Sequence, residues 1–198
     1  MQIKNEIPRD PDLEAIRDLK KEGRKIIGVV SRLSPEKRVD MIIRHYKNSG
    51  MLTDEFCLIV LGEGFLREDY EKEFHEVIQG GNVLFLSKRR NIQEYFQVMD
   101  VFVHASAFEG LGMVYLEAMY FGLPIVTSRN DAAVELFGDS STVVFFDFSG
   151  VANLKDAITE VTAKNRHILI QDYKLILDRF DWSKTANSYL ELYRGSLR

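Results

Sequence analysis

The chain has 198 residues, of which 45% are apolar and 28% charged, and its formal net charge is −4 at pH 7. This length and balance predict one well-buried domain and exclude long disordered or low-complexity tracts. The negative charge argues against nucleic acid as a partner, because such binding rests on clustered positive charge.

The single cysteine and the N-terminus bear on the cellular compartment. Cys57 lies in the apolar run FCLIVL, where it is expected to be a small core residue, so an internal disulfide and a cysteine-based zinc cluster are excluded. The opening MQIKNEIPRD lacks an apolar core, and no run approaches the ~20 apolar residues that a bilayer span needs. We expect a cytoplasmic protein, with any membrane association peripheral.

The chain is predicted to open with a helix and then to alternate strands with helices. Asp10 is placed as an N-cap with Pro11 at the first helical position, and Gly23 marks the end of this helix. Continuous apolar runs, typical of parallel strands covered on both faces, then follow. They lie at 25–30, 56–61, 82–86, 101–105, 124–128 and 142–146.

The segments between these runs carry apolar residues at helical spacing. One stripe is formed by Val39, Ile42, Ile43 and Tyr46, and another by Leu66, Tyr70, Phe74, Val77 and Ile78. From residue 151 onward the chain is predicted to be helical. The expected fold class is α/β, a Rossmann-like doubly wound six-stranded parallel sheet with helices on both faces. In such sheets ligands bind beyond the carboxyl ends of the strands, so the loops that follow strands are the candidate sites.

The loop after the first run, SRLSPEKRVD, places Arg32 and Lys37 past a strand end, with Arg38 beside them. A planar guanidinium and a compact ammonium together suit a diphosphate. The alternative is a solvated loop in which Ser34 caps the next helix and Pro35 occupies its first position. The loop by itself leaves both interpretations open.

The loops after the second and third runs carry weaker signals. GEGFLR begins like a dinucleotide fingerprint, but Arg67 stands where the third glycine belongs, and a tight turn that needs Gly62 and Gly64 is the favoured interpretation. SKRRNIQEYF contains Ser87 and Lys88, against whose backbone a nucleotide base could lie. A solvated basic loop is the alternative there.

The loop after the fourth run, AFEGLGMVYLEAMYFGLP, leads into a helix predicted to begin near Gly112 or Met113. This helix should stop at Gly122, which Pro124 follows. Its N-terminus then faces the ligand crevice, where the backbone amides of residues 110–114 would point at an anion.

Two glutamates bracket this helix start. Glu109 precedes the helix and Glu117 lies in its second turn, so they should reach different parts of one ligand. One can face a reacting group while the other accepts hydrogen bonds from a diol. Because the neighbours of Glu117 are apolar, we expect an enclosed helix on which this carboxylate needs a polar partner, whereas the alternative is a surface glutamate.

With these loops the chain resembles the C-terminal, nucleotide-sugar-binding domain of retaining GT-B glycosyltransferases. That family includes bacterial mannosyltransferases, sucrose synthase and the archaeal type of glycogen synthase. SRLSPEK matches its arginine-and-lysine loop, and EGLGMVYLEAMYFGLPIV matches its paired-glutamate motif. The resemblance divides the chain into 1–23, a residual interdomain linker with the leading helix, and 24–198, a donor-binding domain that includes the C-terminal helices and forms half of a GT-B fold.

The resemblance implies a role for each matching residue. Arg32 and Lys37 would hold the donor diphosphate, Glu109 the sugar hydroxyls, and Glu117 the ribose hydroxyls. Catalytic roles thus fall to Glu109, Arg32 and Lys37, and donor-binding roles to Glu117, Gly110, Leu111, Gly112, Met113, Val114, Ser87 and Lys88. The reaction implied is transfer of a hexose from a UDP- or GDP-sugar to a glycan or lipid-linked acceptor, with retention and with no metal or other cofactor.

The chain departs from the family in three ways, one of which is that the glycine usual in a later segment is missing from SSTVVFF. Asn130 and Asp131 stand in a segment where relatives usually carry paired glycines, so no sugar contact is assigned there. Family enzymes also place an acceptor-binding domain before this one. We therefore expect that domain as a partner in cis or in trans and an isolated chain without activity. A non-catalytic nucleotide-sugar-binding or assembly module is the main alternative, and a phosphosugar epimerase of similar form is a third.

Overall fold

The computed structural model describes residues 10–138 and 140–196, and within them one parallel sheet forms the centre. Its strands are β1 (Lys25–Val30), β2 (Phe56–Leu61), β3 (Val83–Leu86), β4 (Val101–His104), β5 (Ile125–Thr127) and β6 (Val143–Phe145). Their order across the sheet is β3-β2-β1-β4-β5-β6. The predicted six-stranded, doubly wound fold is thereby confirmed. Because the order reverses between β1 and β4, the crevice at their carboxyl ends is the topological switch point.

Helices cover both faces of this sheet. They are α1 (Pro11–Lys21), α2 (Val39–Asn48), α3 (Arg67–Glu73), α4 (His75–Gln79), α5 (Ile92–Val98), α6 (Met113–Tyr120), α7 (Asp131–Phe137), α8 (Leu154–Thr162), α9 (Arg166–Arg179) and α10 (Trp182–Ser196). Successive strand residues point to opposite faces, so Ile27 and Val29 join one core while Ile26 joins the other. None of the helices in the described ranges combines the length and apolar character that a bilayer span requires.

The leading helix is part of this body. Asp10 caps it by accepting a hydrogen bond from the Leu13 amide, as the sequence predicts, and Leu13 and Ile16 are buried in the core. Residues 1–9 lie outside the described ranges, so the linker expected at the N-terminus is not described. The proposed domain boundary after residue 23 stays a prediction.

Two helix predictions needed correction. The stripe from Leu66 to Ile78 forms two short helices instead of one, because Phe74 has φ −103° and ψ 18°, outside the α-helical range. The predicted inward face is nonetheless kept, with Tyr70, Phe74 and Val77 buried.

The turn between β1 and α2 also differs from the alternative interpretation of this loop, in which the helix starts at Pro35. Pro35–Lys37 form one turn of 3-10 helix, and Arg38 follows with φ 49° and ψ 39° before α2 begins. The Ser34 side chain caps no amide, since its hydroxyl donates to the Glu36 carboxylate over 2.6 Å. This left-handed Arg38 ends the short helix and redirects the chain into α2.

The turn after β2 packs tightly on the turn after β1. The Leu33 amide donates to the Glu63 carbonyl over 2.9 Å, and a Cβ added at Gly64 would lie 2.2 Å from the Leu33 carbonyl oxygen. Glycine at this position therefore allows two loops of the carboxyl edge to touch.

Replacing Gly64 by alanine should lower the free energy of unfolding by about 2 kcal/mol, because two backbone segments must separate to admit the methyl group. Urea denaturation of the wild type and the variant measures this difference. Gly195→Ala is the matched control, since among the described residues no atom beyond its chain neighbours and its own helix backbone lies within 4 Å of the position its Cβ would take. Equal stability losses in the two variants would contradict the packing argument.

Candidate functional site

The loops after β1 and β4 meet at the topological switch point. The Ala107 amide donates to the Glu36 carbonyl over 2.8 Å, and the Ser106 hydroxyl, which lies 2.7 Å from the Phe108 carbonyl, is 3.3 Å from the same Glu36 oxygen. The arginine-and-lysine loop and the glutamate loop, which lie about seventy residues apart in the chain, are thereby joined into one wall. The structure brings together the two motifs that the sequence singles out.

Glu109 is the centre of this wall. Its Oε1 atom lies 2.6 Å from the Lys37 ammonium and 2.6 Å from Nε2 of His104. The side chains of Lys37 and Glu109 are each 12% exposed, and that of His104 is 2% exposed. In the described part of the chain no partner contacts Oε2, which leaves that oxygen available to a ligand.

The environment of Glu109 fixes its charge. Burial by itself raises the pKa of the carboxyl, but hydrogen bonds and charge from His104 and Lys37 outweigh burial and lower this pKa to about 2. Glu109 is therefore anionic at neutral pH. It can accept hydrogen bonds and stabilise positive charge, but it cannot supply a proton.

His104 is a site residue that the sequence analysis missed. It is the last residue of β4, its ring lies parallel to that of Phe102 with centroids 5.9 Å apart, and it meets the edge of Tyr115 at 5.2 Å. Its Nδ1 atom is buried and has no partner among the described residues. A polar residue at the end of an apolar strand, five positions before a glutamate, was the available signal.

Two adjoining cavities lie beside Glu109 at the carboxyl edge. One, of about 230 Å³, is lined by Lys37, His104 and Glu109, and the other, of about 590 Å³, is lined by Lys88 and Glu117. Their shared walls are Val30, Ser31, Arg32, Met113 and Val114. Most of the predicted site residues thus surround one continuous groove that runs from β4 toward β3.

Arg32 and Lys37 differ in how they are held. The Arg32 side chain is 76% exposed and has one long contact, 3.5 Å to the Glu36 carboxylate. Lys37 is fixed by its short ion pair with Glu109. Arg32 is therefore free to reach a ligand in either cavity, while Lys37 presents charge from a fixed position.

The start of α6 presents unpaired backbone donors, as predicted. Gly112 is the N-cap with φ 69°, and a Cβ there would lie 2.5 Å from the Tyr115 ring. Within the described ranges, the amides of residues 110–114 donate no hydrogen bond. Of these residues, Met113 and Val114 line the groove, whereas Gly112 is buried.

The expectation that Glu117 lies on an enclosed helix and has a polar partner was wrong. Its helix is not enclosed on this side, because α6 packs through Tyr115, Ala118 and Met119, and Glu117 is exposed toward the 590 Å³ cavity. No polar partner contacts its carboxylate in the described part of the chain. Partial burial by the cavity walls still raises its pKa.

The turns after β2 and β3 are tied together by Glu63 and Arg67. The Lys88 amide donates to the Glu63 carboxylate over 3.3 Å, and the Ser87 hydroxyl also bonds this carboxylate and lowers its pKa. The Arg67 guanidinium donates to the carbonyls of Gly62 and Phe85, each over 3.3 Å. Arg67 thus has a structural role where the dinucleotide motif would have glycine, and Ser87 supports the groove rather than lining it.

Comparison with known proteins assigns the family. The sequence profile described as glycosyl transferases group 1 matches residues 12–174. The chain belongs to this family. The resemblance to GT-B glycosyltransferases, which rests on the two loop motifs, is thereby confirmed.

Curated relatives of this chain carry names that refer to O-antigen biosynthesis and to mannosylation of a lipid. The O-antigen biosynthesis glycosyltransferase WclY of Escherichia coli is 27% identical, over 87% of this chain and 47% of the relative. A GDP-mannose-dependent alpha-(1-6)-phosphatidylinositol monomannoside mannosyltransferase of Mycolicibacterium smegmatis is 26% identical, over 94% of this chain and 52% of the relative. The chain therefore spans about half the length of the curated relatives it matches.

Solved structures agree with this group 1 assignment. HepE of Anabaena in complex with UDP superposes with a TM-score of 0.76 and 26% identity, over 94% of this chain and 54% of HepE. Its complex with UDP-glucose gives a TM-score of 0.75 at 25% identity, over the same shares of the two chains.

The low pKa of Glu109 predicts how stability depends on pH. The unfolded carboxyl titrates near 4.5 and the folded one near 2, so between these values the unfolded chain binds more protons. Stability should therefore fall as the pH falls through this window. From about pH 6 to about pH 3, the wild type should lose about 2 kcal/mol more than Glu109→Gln.

Urea unfolding across this pH range measures that difference. Glu22→Gln is the control, because Glu22 is exposed at the end of α1. It should lose as much stability as the wild type. A Glu109→Gln curve parallel to that of the wild type would show that the ion pair does not hold the carboxylate in the folded state.

Proposed function

We propose that this chain is the donor-binding half of a glycosyltransferase that takes a UDP- or GDP-sugar and transfers its hexose, with retention, to a glycan or lipid-linked acceptor. The observation that carries the proposal is the groove at the switch point. It combines amides that donate to no described residue, an exposed arginine and a buried anionic carboxylate, as a diphosphate joined to a sugar requires.

The diphosphate would lie between Arg32 and the start of α6. The amides of Leu111, Gly112 and Met113 would donate to its oxygens, and the positive end of the helix dipole would favour their charge. Arg32 would close over the opposite side, since its guanidinium is exposed and loosely held. Together with Lys37 it would neutralise the charge that grows on the leaving diphosphate, so that no metal is needed.

Glu109 would face the sugar. With Lys37 and His104 bound to Oε1, its orientation is fixed before the ligand arrives, and Oε2 can accept a sugar hydroxyl. Its negative charge would also stabilise the positive charge that develops on the sugar ring during transfer. His104 would act through Glu109 as a positioning residue.

The nucleoside would occupy the 590 Å³ cavity. Glu117 faces this cavity, and no described residue contacts its carboxylate, so two ribose hydroxyls would supply its hydrogen bonds. The base would then lie against the backbone near Lys88, past the ends of β2 and β3. The UDP complexes of HepE and the GDP-mannose dependence named for mycobacterial relatives support a nucleotide here.

The remaining half of the enzyme would supply the acceptor site. Since the chain spans about half of its relatives, we propose that an acceptor-binding domain, in cis or in trans, faces the groove and that this chain alone has no transferase activity. The buried free thiol of Cys57 fits a cytoplasmic location. Contact with a membrane would be peripheral and would involve the complete enzyme.

Calorimetry with UDP and GDP tests the donor site. One of the two should bind, and Arg32→Ala should weaken its binding about tenfold, the effect of losing a charge-assisted hydrogen bond. Binding of the matching nucleoside should change little. Arg166→Ala, which removes an exposed arginine on α9, is the control.

Two results would overturn the assignment. Binding of neither nucleotide would refute the donor site itself, and equal losses for nucleotide and nucleoside would refute the role of Arg32. Transfer or donor hydrolysis by the chain alone would contradict its proposed inactivity. Recovery of transfer only after addition of an acceptor domain would support it.

Glu117→Ala tests the ribose contact. It should weaken UDP binding about tenfold, because the ribose diol loses a charged acceptor. Binding of 2′,3′-dideoxy-UDP, already weaker to the wild type, should be unaffected by the substitution. Calorimetry with both nucleotides measures this, and equal losses for the two would exclude a contact between Glu117 and the diol.

A further inference from the structure

A third cavity, of about 520 Å³, opens at the carboxyl ends of β4, β5 and β6. Ser106 and Ala107 line it, so it begins two residues before Glu109, on the side away from the groove. The three cavities follow the order of the strands, with the proposed nucleoside cavity near β3, the Glu109 cavity at the switch point and this third cavity near β6. The donor site leaves it unused.

Two arginines line this third cavity without an acidic partner. In the residues that the structure describes, the side chains of Arg38 and Arg129 form neither a hydrogen bond nor an ion pair, and Arg129 lies over the Phe145 ring at 4.7 Å. The one carboxylate in the lining, Asp147, accepts the Ser149 amide over 2.9 Å. By contrast, ion pairs engage Arg17, Arg24, Arg44, Arg67 and Arg89.

The backbone of Arg38 gives independent evidence. At φ 49° it is the one described residue other than glycine with a positive φ. Glycine adopts this conformation without steric cost, whereas a residue with a Cβ is strained there. Strain of this kind persists at ligand sites, and here it accompanies a cation that faces the cavity.

The floor of the third cavity is rigid and polar. Asn130 is 5% exposed, and its side-chain amide donates to the Ser106 carbonyl over 3.1 Å and to the Tyr115 hydroxyl over 3.0 Å. The Ser128 hydroxyl donates to the same Ser106 carbonyl over 2.5 Å. These bonds tie the loop after β5, which carries Arg129, to the loop after β4. The Ala107 amide in turn ties the loop after β4 to the Glu36 carbonyl, in the turn that carries Arg38, so the two arginine-bearing loops keep a fixed relation.

We propose that the third cavity binds a phosphate group of the acceptor through Arg38 and Arg129. Two guanidinium forks above a polar floor suit the geometry and charge of a phosphate. The inference rests on the proposed donor site, because the sugar at Glu109 would lie between the diphosphate and this cavity. An acceptor that reaches the sugar from the β5 and β6 side would place its phosphate here.

Phosphate binding in the presence of UDP tests the proposal. The chain is saturated with UDP, or with GDP if that is the nucleotide it binds, so that the diphosphate site is filled. Inorganic phosphate is then titrated while amide NMR shifts of Ser106 and Arg129 are followed. Saturable shifts at these residues are expected. Arg38→Gly and Arg129→Gln should each weaken this binding about tenfold or more, while UDP binding stays unchanged.

The variants include their own folding control. Arg38→Gly removes the strained side chain, so it should melt at the same or a slightly higher temperature than the wild type. Arg166→Gln, which removes an exposed arginine outside the cavity lining, should leave phosphate binding unchanged.

Vesicles that contain phosphatidic acid distinguish a lipid acceptor from a soluble one. If the wild-type chain binds these vesicles and Arg38→Gly does not, the phosphate belongs to a lipid headgroup. If the chain binds inorganic phosphate but not the vesicles, the phosphate belongs to a soluble acceptor.

The outcomes separate this inference from the donor proposal. UDP binding without saturable phosphate shifts would overturn the acceptor site and leave the donor site intact. Phosphate binding that UDP displaces, or that both arginine variants retain, would also overturn it. Binding of neither UDP nor GDP would refute the donor site, and with it the acceptor role on which this inference rests.

Discussion

The ion pair between Lys37 and Glu109, completed by His104, is the interaction on which the site depends. It joins the turn after β1 to the loop after β4 across the switch point, and its members are mostly buried. Removing one partner from such a cluster leaves a charge uncompensated, which typically costs about 3–5 kcal/mol. The same contacts keep the carboxylate ionised and leave one of its oxygens open. Structural cohesion and ligand recognition thus share one set of atoms.

The cations along the carboxyl edge of the sheet differ in how firmly the protein holds their side chains. Lys37 is locked, Arg32 is nearly free, and Arg38 is placed by a strained backbone. A locked cation sets a local potential without losing mobility on binding, whereas a free one contributes its hydrogen bonds at the cost of side-chain entropy. The edge therefore combines a fixed electrostatic field near Glu109 with adjustable contacts on either side of it.

The sequence was sufficient for the fold and for the two loops of the site, because both depend on local signals. Continuous apolar runs fix buried parallel strands, and the glycine and proline around α6 fix its ends. What it did not show depends on geometry between segments. The link from His104 to Glu109, the left-handed turn at Arg38 and the exposure of Glu117 follow from how helices and loops pack, which residue types alone do not determine. The break at Phe74 belongs with these, since an apolar stripe reports the inward face and not the continuity of a helix.

The strand order carries one more consequence. The strands β1 to β3 form one half of the sheet and β4 to β6 the other, so each half is a continuous stretch of chain, and within the sheet the halves pair through β1 and β4. Because the central cluster takes its lysine from one stretch and its histidine and carboxylate from the other, it cannot exist until the two stretches have docked. A ligand held there would select the completely folded molecule over any half-formed intermediate, which makes occupancy of the cleft a reporter of finished folding.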